Sequence, residues 1–130
     1  MTDIQFGLMT RGQFEEKDDI RVRFKELMEQ ARTADKLGFA SLTKGSHYSS
    51  YPLQDFQQIP YLSRVMAEAP NLRLNAGIVL LSLHKPLEIA EQIATMDVMS
   101  DGRMIFGAAL GYREVEFKAF GTTQRERVQR

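Results

Sequence analysis

The chain has 130 residues, of which 43% are hydrophobic and 26% charged, proportions typical of a globular protein rather than a disordered or fibrous one. Its 17 basic and 17 acidic residues give zero formal net charge, which argues against nucleic acid or an anionic membrane as a partner. Cysteine is absent, which excludes disulfides and thiolate metal sites, and we expect no metal site of another kind. The N-terminus lacks the pattern of a signal peptide, and no apolar run approaches the ~20 residues of a membrane span. We therefore expect a soluble, cytoplasmic protein.

Four runs of apolar residues predict β-strands, at residues 4–9, 39–43, 72–81 and 104–110. The third begins with alternation and ends in a continuous apolar run, and the fourth is almost wholly apolar, which is typical of strands covered on both faces. The runs recur at intervals of roughly 30–35 residues, the length of one βαβ unit.

Helical patterns lie between these runs. An apolar stripe with i, i+3, i+4, i+7 spacing runs from Phe24 to Leu37, and Gly38 follows it where a helix C-cap favours a positive φ. A second helix is predicted over residues 59–69, and a third is predicted to begin at Pro86 and end at Met99.

The resulting order, β-α-β-α-β-α-β, predicts a parallel α/β sheet with crossover helices and a ligand site at the carboxyl ends of the strands. A doubly wound open sheet and a (β/α)8 barrel both fit this order. The segment from Thr123 to Glu126 matches a capping box that opens a further helix. We therefore favour the N-terminal half of a (β/α)8 TIM barrel, with residues 1–130 as a partial domain of about four βα units, truncated at the C-terminus; a frayed C-terminus is the alternative.

Three features near the predicted strand ends could bear chemistry. His47 follows the second strand and could form hydrogen bonds or transfer protons, or be a loop residue without a role. Gly77 interrupts the third strand, which indicates either a bulge near a ligand or a small residue required by packing. The small residues Gly107, Ala108, Ala109 and Gly111 would let a flat aromatic cofactor approach the backbone, although core packing would also select them.

Two charged segments are further candidates for ligand contacts. Tyr112 and Arg113 follow the fourth strand and could contact a phosphate or a substrate anion; alternatively, Arg113 forms a weak surface ion pair with Glu114 or Glu116. For His84 and the lysine after it, we favour solvated side chains before the third helix.

The most specific stretches are residues 80–103, 107–113 and 116–121, supported by Gly38–Phe39 and His47–Tyr48. Together they resemble the bacterial-luciferase-like flavin-dependent monooxygenases over essentially the whole chain. The resemblance implies a (β/α)8 barrel with a flavin at the carboxyl mouth. It also implies reduced FMN, supplied by a separate reductase, that reacts with O₂ and a small organic substrate, and a homo-oligomeric enzyme. A related branch of the family uses the deazaflavin F420 for hydride transfer, which is the alternative.

The resemblance also assigns roles to residues. His47 matches a histidine at the catalytic site, and Arg113 is a candidate contact to substrate or phosphate. A non-prolyl cis peptide at a strand bulge is expected where Gly77 lies. The residues expected to bind the cofactor are Met9, Ala76, Gly77, Ile78, Ala109, Gly111 and Tyr112.

The chain departs from the family pattern at two places. It has Ser46-His47-Tyr48 where many relatives have Glu-His-His, and Leu110 where luciferase has an arginine. The flavin phosphate is expected on later strands, so we expect this chain alone to bind FMN weakly or not at all, without turnover. A non-catalytic half-barrel that associates through its open edges is the alternative of another class.

Overall fold

A computed structural model describes residues 4–130. The strands are β1 (Gly7–Met9), β2 (Gln13–Phe14), β3 (Ser41–Lys44), β4 (Gln54–Asp55), β5 (Arg73–Leu80) and β6 (Met104–Ala109). The helices are α1 (Ile20–Lys36), α2 (Gln58–Glu68), α3 (Pro86–Met99) and α4 (Glu114–Ala119), with 3-10 turns at Leu81–Leu83 and Gln124–Val128.

The main sheet has four strands in the order β1-β3-β5-β6, and every neighbouring pair is parallel. Each connection between them crosses over through a helix, so the predicted alternation of strands and helices is confirmed. Three elements, two short strands and a helix, were not predicted. β2 and β4 form a small antiparallel pair outside the sheet, and α4 follows β6 directly.

The predicted C-terminal end of α1 and both predicted ends of α3 are confirmed, whereas α1 begins at Ile20, before the predicted apolar stripe. Asp19 caps α1, where its Oδ1 accepts a hydrogen bond of 2.9 Å from the Arg21 amide. Gly38 follows α1 with φ +78°, a conformation that is open to glycine at little cost. α3 runs from Pro86 to Met99 as predicted. No helix within residues 4–130 is both long and apolar enough to cross a membrane.

The two faces of the main sheet differ in character. One row across it packs against the helices in the core: Leu8, Leu42, Leu74 and Met104. The adjacent row points to the opposite face because side chains alternate along a strand: Met9, Thr43, Asn75 and Ile105. On that face Asn75 Nδ2 donates a 3.0 Å hydrogen bond to Thr43 Oγ1. The helices therefore cover one face of the sheet. The candidate site lies at the carboxyl ends of the strands, where Met9 of the opposite row is located.

Candidate functional site

A cleft of about 680 Å³ lies at the carboxyl ends of the parallel strands. That volume falls within the range of ~300–1,000 Å³ typical of small-molecule sites. Its lining is mostly apolar or small: Met9, Gly45, Ser46, His47, Gly77, Ile78, Leu80, Ala109, Leu110, Gly111, Tyr112 and Arg127. The position agrees with the general rule for parallel sheets, in which the strand ends present ligand-binding loops.

The floor of the cleft is formed where β5 bulges against β6. The register shifts between Ala76 and Val79, which places Gly77 and Ile78 opposite Gly107. The peptide bond between Gly77 and Ile78 is cis, at the place that the resemblance implies. A Cβ on Gly107 would approach the Ala76 carbonyl oxygen and Ile78 Cγ2 to 3.2 Å each. A side chain at position 107 would therefore be crowded by the bulge beside it.

The turn after β6 forms one side of the cleft. Gly111 has φ +79°, a region that disfavours residues with a Cβ. The aromatic ring of Phe117 packs behind this turn, fully buried, in a cluster with Leu80 and Leu83. α4 thus supports the turn from outside and leaves Ala109 and Gly111 on the cleft side.

His47 is held by a buried carboxylate. Oε1 of Glu116 lies 3.1 Å from His47 Nδ1, and it accepts hydrogen bonds from the Tyr48 amide at 3.0 Å and from Arg113 Nη1 at 3.2 Å. The Glu116 side chain is 1% exposed, whereas His47 is 33% exposed at the cleft. Burying a carboxylate is costly unless donors satisfy it, and the Tyr48 amide and Arg113 both donate to this oxygen.

The prediction that His84 is solvated is wrong. Its Nε2 lies 3.1 Å from the Tyr48 hydroxyl, and the Phe120 ring packs on both residues. Burial lowers the pKa of His84, and Glu88 opposes this shift only in part. The neutral imidazole favoured by this environment can accept the hydrogen bond that the tyrosine hydroxyl donates.

A buried ion pair joins the two ends of the loop that carries His47, with Lys44 at its start and Asp55 after its end. Lys44 Nζ lies 2.8 Å from Asp55 Oδ1 and donates to the Gly45 carbonyl at 3.1 Å. Their side chains are 1% and 4% exposed. Burial raises the pKa of Asp55, and the bond to Lys44 opposes that rise. Gln58 Nε2 donates to the Lys44 carbonyl at 2.6 Å and to that of Ile78 at 3.4 Å, so it connects the loop to the bulge.

The model of the family described as luciferase-like monooxygenase matches residues 4–130 of this chain. The chain belongs to that family. Its resemblance to limonene 1,2-monooxygenase of Rhodococcus erythropolis amounts to 27% identity over 125 residues, or 93% of this chain and 32% of that protein. This luciferase-like chain thus spans about a third of the length of limonene 1,2-monooxygenase.

Solved structures share the fold. The oxygenating constituent of 3,6-diketocamphane monooxygenase from the CAM plasmid of Pseudomonas putida, in complex with FMN, matches with TM-score 0.83 and 17% identity, over 98% of this chain and 38% of that one. The coenzyme F420-dependent tetrahydromethanopterin reductase of Methanopyrus kandleri matches with TM-score 0.68 and 22% identity, over 92% and 30% of the two chains. These matches confirm the predicted fold class, the parallel α/β arrangement of half a (β/α)8 barrel.

The structure of this luciferase-like chain brings most of the predicted site residues together. Those that line the cleft are Met9, His47, Gly77, Ile78, Ala109, Gly111 and Tyr112. Two lie elsewhere. Ala76 is fully buried in the core on the helix side, so its methyl group does not face the cleft. Arg113 points to Glu116 and to the Tyr48 carbonyl, 3.4 Å away; its contact with a substrate or phosphate stays a prediction.

The sequence interpretation missed two charged groups at the site. Glu116 was considered only as the partner in a surface ion pair, but the pair with Arg113 is buried on the carboxylate side. Arg127 lines the cleft, with Nη1 3.5 Å from the Gly111 carbonyl. It lies in the short 3-10 turn Gln124–Val128, where a longer helix was expected. Within residues 4–130, no cluster of three or more His, Asp or Glu side chains could hold a metal ion.

Proposed function

We propose that this chain forms one wall of the flavin site in a flavin-dependent oxidoreductase, a monooxygenase that uses reduced FMN and O₂ on a small organic substrate. The observation that supports this most is the cleft itself. Its floor is a bulge with Gly77 and Ile78, and its side has no side chain larger than a methyl group at Ala109 and Gly111. Family membership makes a flavin the natural occupant of such a space.

Different residues of the chain would accommodate the flavin ring and shield it from water. Gly77, Ala109 and Gly111 would admit a planar ring, and Met9 and Ile78 would shield it from water. Exclusion of water from such a site strengthens the electrostatic interactions within it and limits side reactions. Ala76 would contribute through its backbone, and Tyr112 would border the ring at the rim.

The polar groups would handle protons and anions. His47 would be the catalytic group that accepts or returns a proton at Nε2. Arg127, and Arg113 if it is released from Glu116, would attract an anionic part of the substrate or cofactor. The bound flavin would supply the redox chemistry and its reaction with O₂. A reductase that delivers reduced FMN and a homo-oligomeric assembly complete the proposal.

Chemical-shift mapping of the 130-residue chain with FMN tests the proposal. Weak, saturable changes are expected at the amides of Gly45, Gly77 and Gly111, which line the cleft. Gly38 and Gly102 serve as internal controls because they follow α1 and α3, at the opposite ends of the strands. F420 as the ligand tests the second candidate, F420-dependent hydride transfer.

A pair of neighbouring alanines gives matched variants. Ala109→Leu places a larger side chain in the cleft and should abolish the FMN-induced shifts, whereas Ala108→Leu, on the other side of β6, should leave them unchanged. Shifts with F420 but not FMN would favour the second candidate. Unchanged cleft amides with both compounds at millimolar concentration would favour the non-catalytic half-barrel over a flavin site on this chain. Tight, stoichiometric FMN binding would contradict the expectation that the chain supplies one wall only.

A further inference from the structure

We propose that Glu116 is a positioning residue for His47, which it holds in the tautomer with the proton on Nδ1 so that the Nε2 lone pair is available at the cleft. The chemical role of this positioning, proton acceptance by Nε2 from a ligand in the cleft, rests on the proposed function. Its geometry comes from the contacts of Glu116 itself. Neither the family match nor the relatives assign this role to the residue.

The contact crosses the sheet. His47 follows β3 and Glu116 lies in α4 after β6, with β5 between those two strands in the sheet order. The two residues are 69 positions apart in sequence. A carboxylate on α4 therefore fixes a ring on a loop from a different βα unit, and α4 itself is anchored by the fully buried Phe117.

The carboxylate constrains the loop as well as the ring. The same oxygen that faces His47 Nδ1 accepts the amide of Tyr48, the next residue. Backbone and side chain are thus fixed relative to one acceptor, which leaves the ring little freedom to rotate. Arg113 donates to that oxygen as well, and its positive charge offsets the cost of burying the carboxylate.

The hydrogen bond determines which nitrogen carries the proton. A carboxylate oxygen accepts and cannot donate, so a neutral His47 must carry its proton on Nδ1 to bond with Glu116. Nε2, on the other side of the ring, then becomes an acceptor. Carboxylate–histidine pairs of this kind fix the tautomer and the orientation of the ring. Such an arrangement suits a group that accepts a proton from a ligand in the cleft.

The test uses ¹⁵N-histidine spectra of the 130-residue chain above pH ~8, where an unperturbed histidine is neutral. The chain has two histidines, so His84 serves as an internal reference. Long-range ¹H–¹⁵N correlations distinguish the two tautomers of each ring. We expect the Nδ1–H pattern for His47 in the wild-type chain, with a single well-defined set of ring signals.

Variants separate positioning from general disruption. Glu116→Met should abolish the Nδ1–H pattern of His47, and Glu116→Gln, which keeps an acceptor oxygen, should largely restore it. Tyr48→Phe removes the hydroxyl beside His84 and should change only the His84 signals. An Nε2–H pattern in the wild-type chain would overturn the inference, even if Glu116→Met failed to fold.

Equal tautomer patterns in wild type and Glu116→Met would also overturn it. The measurement needs no flavin, so it is separate from the FMN titration. If FMN leaves the cleft amides unchanged, the non-catalytic half-barrel is favoured, while the tautomer result still decides whether Glu116 positions the ring.

Discussion

Removal of one partner of the Lys44–Asp55 ion pair should strongly destabilise the chain, while removal of both should not. The Nζ–Oδ1 distance is 2.8 Å, and both side chains are almost completely buried. At an effective dielectric constant of about 20, the Coulomb attraction at this distance is about 6 kcal/mol. Desolvation of the two ions costs several kcal/mol each and consumes much of that attraction.

Single and double substitutions therefore have different expected costs. Asp55→Leu or Lys44→Met leaves one buried charge without its partner and should cost about 3–5 kcal/mol. The double variant Lys44→Met/Asp55→Leu should lose less than either single variant. Because globular domains are stable by only about 5–15 kcal/mol, the single changes remove a large part of the total.

Urea unfolding at pH 7, followed by circular dichroism, measures these differences. In Lys44→Met, burial raises the pKa of Asp55 without an opposing cation, so the charged form destabilises the folded chain most at high pH. The loss should therefore shrink as the pH falls toward 5. Additive losses in the double variant, or single losses below about 1 kcal/mol, would refute a buried and energetically coupled pair.

Three further predictions concern the turn and the aromatic cluster. Gly111→Ala should cost about 1–2 kcal/mol because φ is +79° and a Cβ is disfavoured there; an unchanged unfolding midpoint in urea would contradict this. Phe117→Ala should cost about 3–5 kcal/mol, as expected for a fully buried ring, and Phe117→Leu clearly less; equal losses would speak against cavity formation. His84 has a pKa lowered by burial from 6.5, so the unfolded state takes up the proton first and stability should fall as the pH drops below about 6.5. Thermal unfolding between pH 7.5 and 5 should show a smaller decrease for His84→Gln than for wild type, and parallel curves would exclude this linkage.

The regular elements could be predicted because their signals are local. α3 is bounded by Pro86 and Met99 as predicted, since proline suits a first turn and the apolar spacing continues to the end. The β2–β4 pair was not predictable in this way because each strand has two residues, too few to show an alternation. Its position depends on the buried contact of Asp55 with Lys44, which is a tertiary effect.

The site was predictable in part. Gly77 breaks an apolar strand, and the resemblance turned that local signal into the expectation of a bulge with a cis peptide, which the structure contains. Glu116 gave no such signal. A glutamate three residues after an arginine matches an exposed helical ion pair. Only the sheet order brings it to His47, and no local pattern encodes the spatial neighbour of a residue 69 positions away.

The walls of the cleft differ in chemistry because they come from different βα units. The β5–β6 side supplies small and apolar groups such as Ile78 and Ala109, and the loop after β3 supplies the imidazole of His47. The carboxylate that orients the imidazole is buried outside the cleft, on α4. In the proposed function, His47 would therefore act as a proton acceptor at the edge of the cleft although no acidic side chain within residues 4–130 lines the cleft. An acidic side chain there would repel an anionic ligand. Among the lining residues that the structure describes, Arg127 carries a positive charge, which favours the binding of anions. In the proposed function, this separation of the orienting charge from the ligand space would let one cleft combine water exclusion with proton transfer.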